Sequence, residues 1–231
     1  MDDLKRIKAI VFDLEGTLLD SHKSRDKFIE EQYERFHDYF VHVQLADYRR
    51  FYIQLEEEGL SQLALYKKMI KHFHIDRLTG KDLYHDYDMH YYRYIFPYYN
   101  TQYTLETLQK RGYLIGVIAN GKSKLQHYRI YAMGIAEVVN YISTSEHVGY
   151  PKPHPKIYED ILTQLDVTPE ETLYVGDDAL NDIAPAHAMG MTSVWFKSNL
   201  DDIEPLEEEM DYEILDLETL LTILPIKQGG V

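Results

Sequence analysis

Residues Ile7 to Asp20, IKAIVFDLEGTLLD, constrain this chain more than any other stretch. A short apolar run rich in β-branched side chains ends at an acid, Asp13. A second acid, Glu15, follows two residues later, then Gly16 and Thr17. A run of that kind predicts a strand buried on both faces, as in a parallel sheet. An acid where such a strand ends stands at the carboxyl edge, where open α/β sheets hold their ligands. Gly16 lets the backbone turn sharply and approach a ligand there. The plainer reading of Asp13 is a turn residue closing a strand, a common use of Asp.

After Asp20 the pattern becomes helical. Phe28, Tyr33, Phe36 and Phe40 recur at helix spacing, and Tyr48, Phe51, Tyr52 and Leu55 fall on one face. Leu65, Met69, Ile70 and Phe73 continue the theme, with Gly59 as a stop and Ser61 as the next cap. A further helix is predicted from Thr79 to Ile95, ended by Pro97. The expected organisation is a helical insertion over residues 17–98, within a core made of residues 1–16 and 99–231. Such an insertion is expected to act as a mobile, substrate-selecting lid. Its tail, residues 84–100, is crowded with Tyr and His. A metal site at His85 and His90, or a stacking platform for bases, is one reading. Packing is the better one, since Tyr87, Tyr91 and Tyr94 share a face while His85 and His90 point apart.

From Thr101 helix and strand alternate. Helices are predicted over Thr101–Lys110, Ser123–Met133, from Pro155 onward, over Asn181–Met189 and over Asp216–Leu224. Strands are predicted at residues 113–118, 138–143, 172–176 and 192–196. This alternation implies an α/β, Rossmann-like fold with a parallel sheet and right-handed crossovers.

Composition narrows function by exclusion. With no cysteine there is no disulfide and no cysteine nucleophile, in keeping with a cytoplasmic setting. No signal peptide is expected from the polar start, and no stretch is long enough to span a membrane. Net charge is -15, from 24 Lys and Arg against 39 Asp and Glu, which disfavours nucleic acid as a partner. A small phosphorylated substrate, held by a local cation or metal, stays open. A monomer or homodimer is expected.

Four polar clusters complete the pattern. Asp13 and Glu15 follow the first strand, and Ala119-Asn120-Gly121 follows the second. Lys152 stands in Gly149-Tyr150-Pro151-Lys152-Pro153 after the third, and Gly176-Asp177-Asp178 with Asn181-Asp182 follows the fourth. Parallel strands bring these ends together. In order and spacing they resemble the four motifs of the haloacid dehalogenase superfamily of phosphohydrolases, over nearly the whole chain.

The resemblance implies a phosphatase with a helical insertion cap. Asp13 is then the nucleophile that forms an aspartyl phosphate. Asp13 and Asp177 hold Mg²⁺ together with the Glu15 backbone carbonyl, with Asp178 as second candidate. Lys152 neutralises phosphate and Asp13, and Asp182 orients Lys152 or a metal-bound water. Amides near Asn120 and Gly121 bind phosphate oxygens, and Glu15 serves as general acid and then base. Implied substrates are small phosphomonoesters: nucleotides, sugar phosphates or phosphoglycolate.

Two positions depart from the family. Glu15 replaces the second Asp of the first motif, and Ala119 replaces the Thr or Ser of the second. Loss of one preorganised hydroxyl donor costs roughly 10²–10³-fold in comparable sites. Glu15→Asp and Ala119→Thr are each expected to raise turnover. The competing reading is a regulatory protein that binds metal and phosphate on a phosphatase scaffold with little turnover.

Overall fold

A computed structural model describes residues 3–198 and 210–227. The chain divides into two units, Met1–Asp20 with Phe96–Val231, and Ser21–Ile95.

The first unit is built on strands β1 (Ala9–Asp13), β2 (Leu114–Ala119), β3 (Tyr141–Thr144), β4 (Thr172–Gly176), β5 (Thr192–Phe196) and β6 (Tyr212–Ile214). Their order is β3-β2-β1-β4-β5-β6 and every neighbouring pair is parallel. Every residue of β1 is buried, as its unbroken apolar run requires. Ala9 and Val11 pack with Ile157, Ile161 and Leu165 of the helix Pro155–Leu165, while Ile10 and Phe12, on the opposite face, are equally covered. The chain steps outward from β1 to β2 and β3, then returns to lay β4 on the other side of β1. The order therefore reverses between β1 and β4. The carboxyl ends at such a reversal leave the crevice in which α/β sheets bind ligands.

Several boundaries differ from expectation. Strand β3 starts at Tyr141 because Val138 and Val139 close a turn, their amides bonded to the Ile135 carbonyl at 3.1 and 3.3 Å. The helix expected from Asn181 instead begins as a π turn, Ala179–Ile183, and continues as α helix only over Ala184–Ala188. Strand β6 is not anticipated by the sequence. Three residues are too few to show a period of two.

The second unit holds four α helices among its described residues: α1 (Ser21–Arg35), α2 (Leu45–Glu57), α3 (Gln62–His72) and α4 (Gly80–His90). Tyr48, Tyr52, Leu65, Tyr66, Met69 and Leu83 form its core. Helix α1 stops before Phe36 and Phe40, which flank a 3-10 turn, and α4 gives way to a 3-10 turn over Tyr91–Tyr94. Tyr87, Tyr91 and Tyr94 meet Phe28 edge-on, with ring centroids 5.4, 5.4 and 5.9 Å away. The tyrosines therefore pack. The buried Asp86 carboxylate accepts from Arg35 at 2.7 and 2.8 Å and from Gln32 at 3.0 Å, with His90 Nδ1 2.9 Å away. No described helix is long and apolar enough to cross a membrane.

Candidate active site

The carboxyl ends of β1, β2 and β4 and the loop after β3 surround a cavity of about 190 Å³. Asp13, Glu15, Ala119, Asn120, Lys152, Asp177, Asp178, Asn181 and Asp182 line it. Seven of the eight residues expected at the site are among them. Gly121 alone is not.

At the centre is a buried charge cluster. The Lys152 ammonium donates to Asp13 Oδ1 and, at 2.6 Å, to Asp182 Oδ1. Burial alone would push Lys152 down, but Asp13 and Asp182 outweigh it and hold its pKa above the ordinary value. Asp182 is itself anchored by the Tyr174 hydroxyl at 2.8 Å and the Asp178 amide at 3.2 Å. The π turn aims Asp182 back at Lys152, a use of such turns common at functional sites. Asp177 accepts from the Thr17 hydroxyl at 3.0 Å, and its carbonyl from the Trp195 indole at 2.9 Å.

Carboxylate oxygens of Asp13, Asp177 and Asp182 lie within 4.8 Å of one another. Three carboxylates against one ammonium leave two negative charges uncompensated. Burial, and then the crowding by Asp182 and Asp177, drives Asp13 well above the usual carboxylate range despite Lys152. Burial, and then Asp182, pushes Asp177 up to about 7. An all-oxygen donor set with a deficit of two positive charges fits a hard divalent cation. Asp178, the second candidate ligand, stands outside this group. Burial works to raise its pKa, but the Asn181 side chain and the amides of Asn181 and Leu180 hold it low, at 2.7–2.9 Å. It caps the turn instead.

The raised acids fix a pH dependence. A folded-state pKa above the unfolded one contributes stability at low pH, and that contribution is lost as pH rises through the folded value. Metal-free protein should therefore melt higher at pH 5.5 than at pH 8, and Mg²⁺ should flatten the difference. Mg²⁺ affinity should fall as pH drops below about 7, with protons released on binding. Titration calorimetry in buffers of different ionisation enthalpy checks both. Affinity independent of pH between 5.5 and 8 would contradict the cluster's charge balance.

Two glycines make the close approach feasible. A Cβ on Gly16, whose φ is +95°, would lie 2.1 Å from Asp177 Oδ2, and one on Gly176 would lie 2.4 Å from the Asp182 Cβ. Gly16→Ala should cost about 1–2 kcal/mol from backbone strain alone. By displacing Asp177 it should also weaken Mg²⁺ binding at least about tenfold, one lost ligand contact being worth 1.4 kcal/mol or more.

The second-motif residues make contacts within the protein that the sequence did not indicate. The Asn120 side chain clamps the Lys152 backbone, accepting from its N–H at 2.8 Å and donating to its carbonyl at 3.3 Å. The Gly121 amide, expected at the phosphate, donates to Ser145 Oγ at 2.8 Å. The Glu15 carboxylate accepts from Arg129 and, at 3.4 Å, from Gln126. Sequence reasoning missed Arg129, Gln126 and Tyr174. The available signal was two polar residues beside Ile130 on the helix Ser123–Ala132, where a clean apolar stripe is ordinary.

Comparison with known proteins agrees with this geometry. The family model for haloacid dehalogenase-like hydrolases matches residues 10–196. A glyceraldehyde 3-phosphate phosphatase of Pyrococcus furiosus is 31% identical, over 98% of this chain and 97% of its own. A pyrophosphatase of Oceanobacillus iheyensis is 25% identical, over 94% and 97%. Among solved structures, a HAD phosphatase from Thermococcus onnurineus superposes with a TM-score of 0.69 at 26% identity, covering 96% of this chain and all of its own. Asp13, Lys152, Asp177 and Asp182 thus converge on one cavity in a chain that matches these three phosphatases over nearly their full length. The chain belongs to the haloacid dehalogenase-like hydrolase family, among its phosphatases.

Proposed function

We propose that this protein is a Mg²⁺-dependent phosphomonoester hydrolase acting on a small phosphorylated metabolite through an aspartyl phosphate. The carrying observation is the position of Asp13, at the carboxyl end of β1 and in contact with Lys152, which Asp182 holds in turn. Asp13 attacks phosphorus. Its carboxylate oxygen forms the new P–O bond as the substrate's bridging P–O bond breaks, and Glu15 gives its proton to the departing oxygen. Water then attacks the aspartyl phosphate. Glu15 takes the water's proton, the bond to Asp13 breaks, and free phosphate leaves with Glu15 ready for the next cycle. Lys152 offsets charge on the transferring group, and Asp182 and Asn120 fix Lys152 from two sides. Asp13 and Asp177 would hold Mg²⁺. When bound, the ion supplies the positive charge that lets a phosphate dianion approach these acids.

The substrate named for the Pyrococcus furiosus relative, glyceraldehyde 3-phosphate, is the first to test, followed by pyrophosphate. We assign substrate choice to the helical unit, encoded between β1 and β2. Exchanging it for a relative's is expected to change substrate preference, and unchanged preference would remove that assignment. A cysteine-free chain of this kind suits the cytoplasm. The test of function is phosphate release from a panel of small phosphomonoesters, with Mg²⁺ and then with excess chelator. Metal-dependent release supports the proposal. Metal and phosphate-mimic binding without release from any member would move the assignment to a regulatory binder.

A further inference from the structure

We propose that Arg129 is a positioning residue for the proton-transfer carboxylate, and that it is the reason this chain works with Glu rather than Asp at position 15. The inference rests on the reading of Glu15 as general acid. The Glu15 side chain is 42% exposed at the cavity, but the Arg129 side chain, 7% exposed, reaches its Oε1 from below. Arg129 is set by Gln126, whose Oε1 accepts from the guanidinium at 3.1 Å. Gln126 is set in turn, its amide donating to the Asn120 carbonyl at 2.6 Å and to Glu15 at 3.4 Å. A Cβ on Gly121 would lie 2.9 Å from that amide nitrogen, so the glycine leaves room for the brace. Asn120 holds the Lys152 backbone. One network therefore ties the acid to the lysine that faces phosphate.

The brace answers a physical need. A Glu carries one more rotatable bond than an Asp and pays more entropy to be held in one place. A buried, planar guanidinium fixes a carboxylate better than a lysine could. An Asp would end about 1.5 Å short, one carbon–carbon bond, and leave Arg129 without this carboxylate. Departure from the family's acid and the presence of Arg129 thus belong together.

The test separates positioning from structure by leaving group. A nitrophenolate departs without a proton, while an alkoxide needs one, so only the latter depends on a well-placed acid. For Arg129→Met, kcat/KM should fall about 30- to 100-fold with glycerol phosphate, up to the lower limit of the 10²–10⁴ range of general acid catalysis, because the acid is misplaced rather than removed. With nitrophenyl phosphate it should change less than about threefold, the proton then being unneeded. Arg129→Lys should lie between, and it carries the same comparison if Arg129→Met does not fold. Glu15→Gln should show the same discrimination. Equal losses on both substrates for the Arg129 variants, with discrimination retained by Glu15→Gln, would overturn the proposal alone. Equal losses for Glu15→Gln as well would overturn the acid assignment and the proposal with it.

Discussion

Asp13→Asn should abolish turnover on every substrate, by about 10⁴-fold or more, while leaving the metal-free protein more heat-stable than wild type. The first effect follows from the role proposed for Asp13 as the nucleophile. Knockouts of a covalent-catalysis residue remove most of the acceleration and leave only binding and electrostatics. The second follows from the charge count. Asp13 is 4% exposed, its pKa is driven up by burial and by two neighbouring acids, and in the ionised form near neutral pH it destabilises the fold. Asn is nearly isosteric and removes one of the two uncompensated charges. Lys152 keeps Asp182 as its partner at 2.6 Å. The variant should therefore be inactive with a raised melting temperature in chelator, a stability cost stored at a functional site. Turnover within tenfold of wild type would remove Asp13 from the chemistry. A lowered melting temperature would contradict the charge balance.

Lys152→Met should move stability the opposite way. Its ammonium is the one cation in contact with both Asp13 and Asp182 among the described residues, and it is 8% exposed. Removing one partner of a buried ion pair costs about 3–5 kcal/mol, because the remaining charges stay buried without compensation. For a chain of this size that is on the order of 10 °C in melting temperature. Turnover should fall about 10³-fold, the usual cost of a preorganised charge that faces the transferring group. Mg²⁺ should recover part of the stability, since it supplies charge to the same acids, but little of the rate. Thermal melts with and without Mg²⁺, beside steady-state rates, check all three statements. Equal melting temperatures for Lys152→Met and wild type in chelator would show that the cluster is less coupled than its distances imply.

The parts of the site that were legible in the sequence share a cause. Asp13 and Asp177 each end a short apolar strand, and strand ends in a parallel sheet have nowhere to go but one edge. Lys152 and Asp182 were legible through the spacing of the motifs that carry them. What stayed hidden lies within elements rather than at their ends. Tyr174 occupies a fully buried position of β4 and reads as core, yet its hydroxyl anchors Asp182. Arg129 and Gln126 sit inside a helix, where polar residues usually face water. Asn120 lines the cavity, but which atoms it binds depends on a loop thirty-two residues later in the chain, and spacing does not encode that. The structure also changes one expectation. Shortening Glu15 to Asp withdraws the carboxylate from Arg129, so a rise in turnover no longer follows from restoring the family residue alone.

The covalent intermediate carries the account, and it can be trapped directly. Enzyme turning over a phosphomonoester with Mg²⁺ would be quenched in acid and reduced with borohydride, which converts an aspartyl phosphate to homoserine, and then mapped by peptide mass. Homoserine is expected at position 13 and nowhere else, and is absent when Mg²⁺ is chelated. Phosphate release at the full rate with residue 13 unmodified, or with the label on another acid, would contradict it.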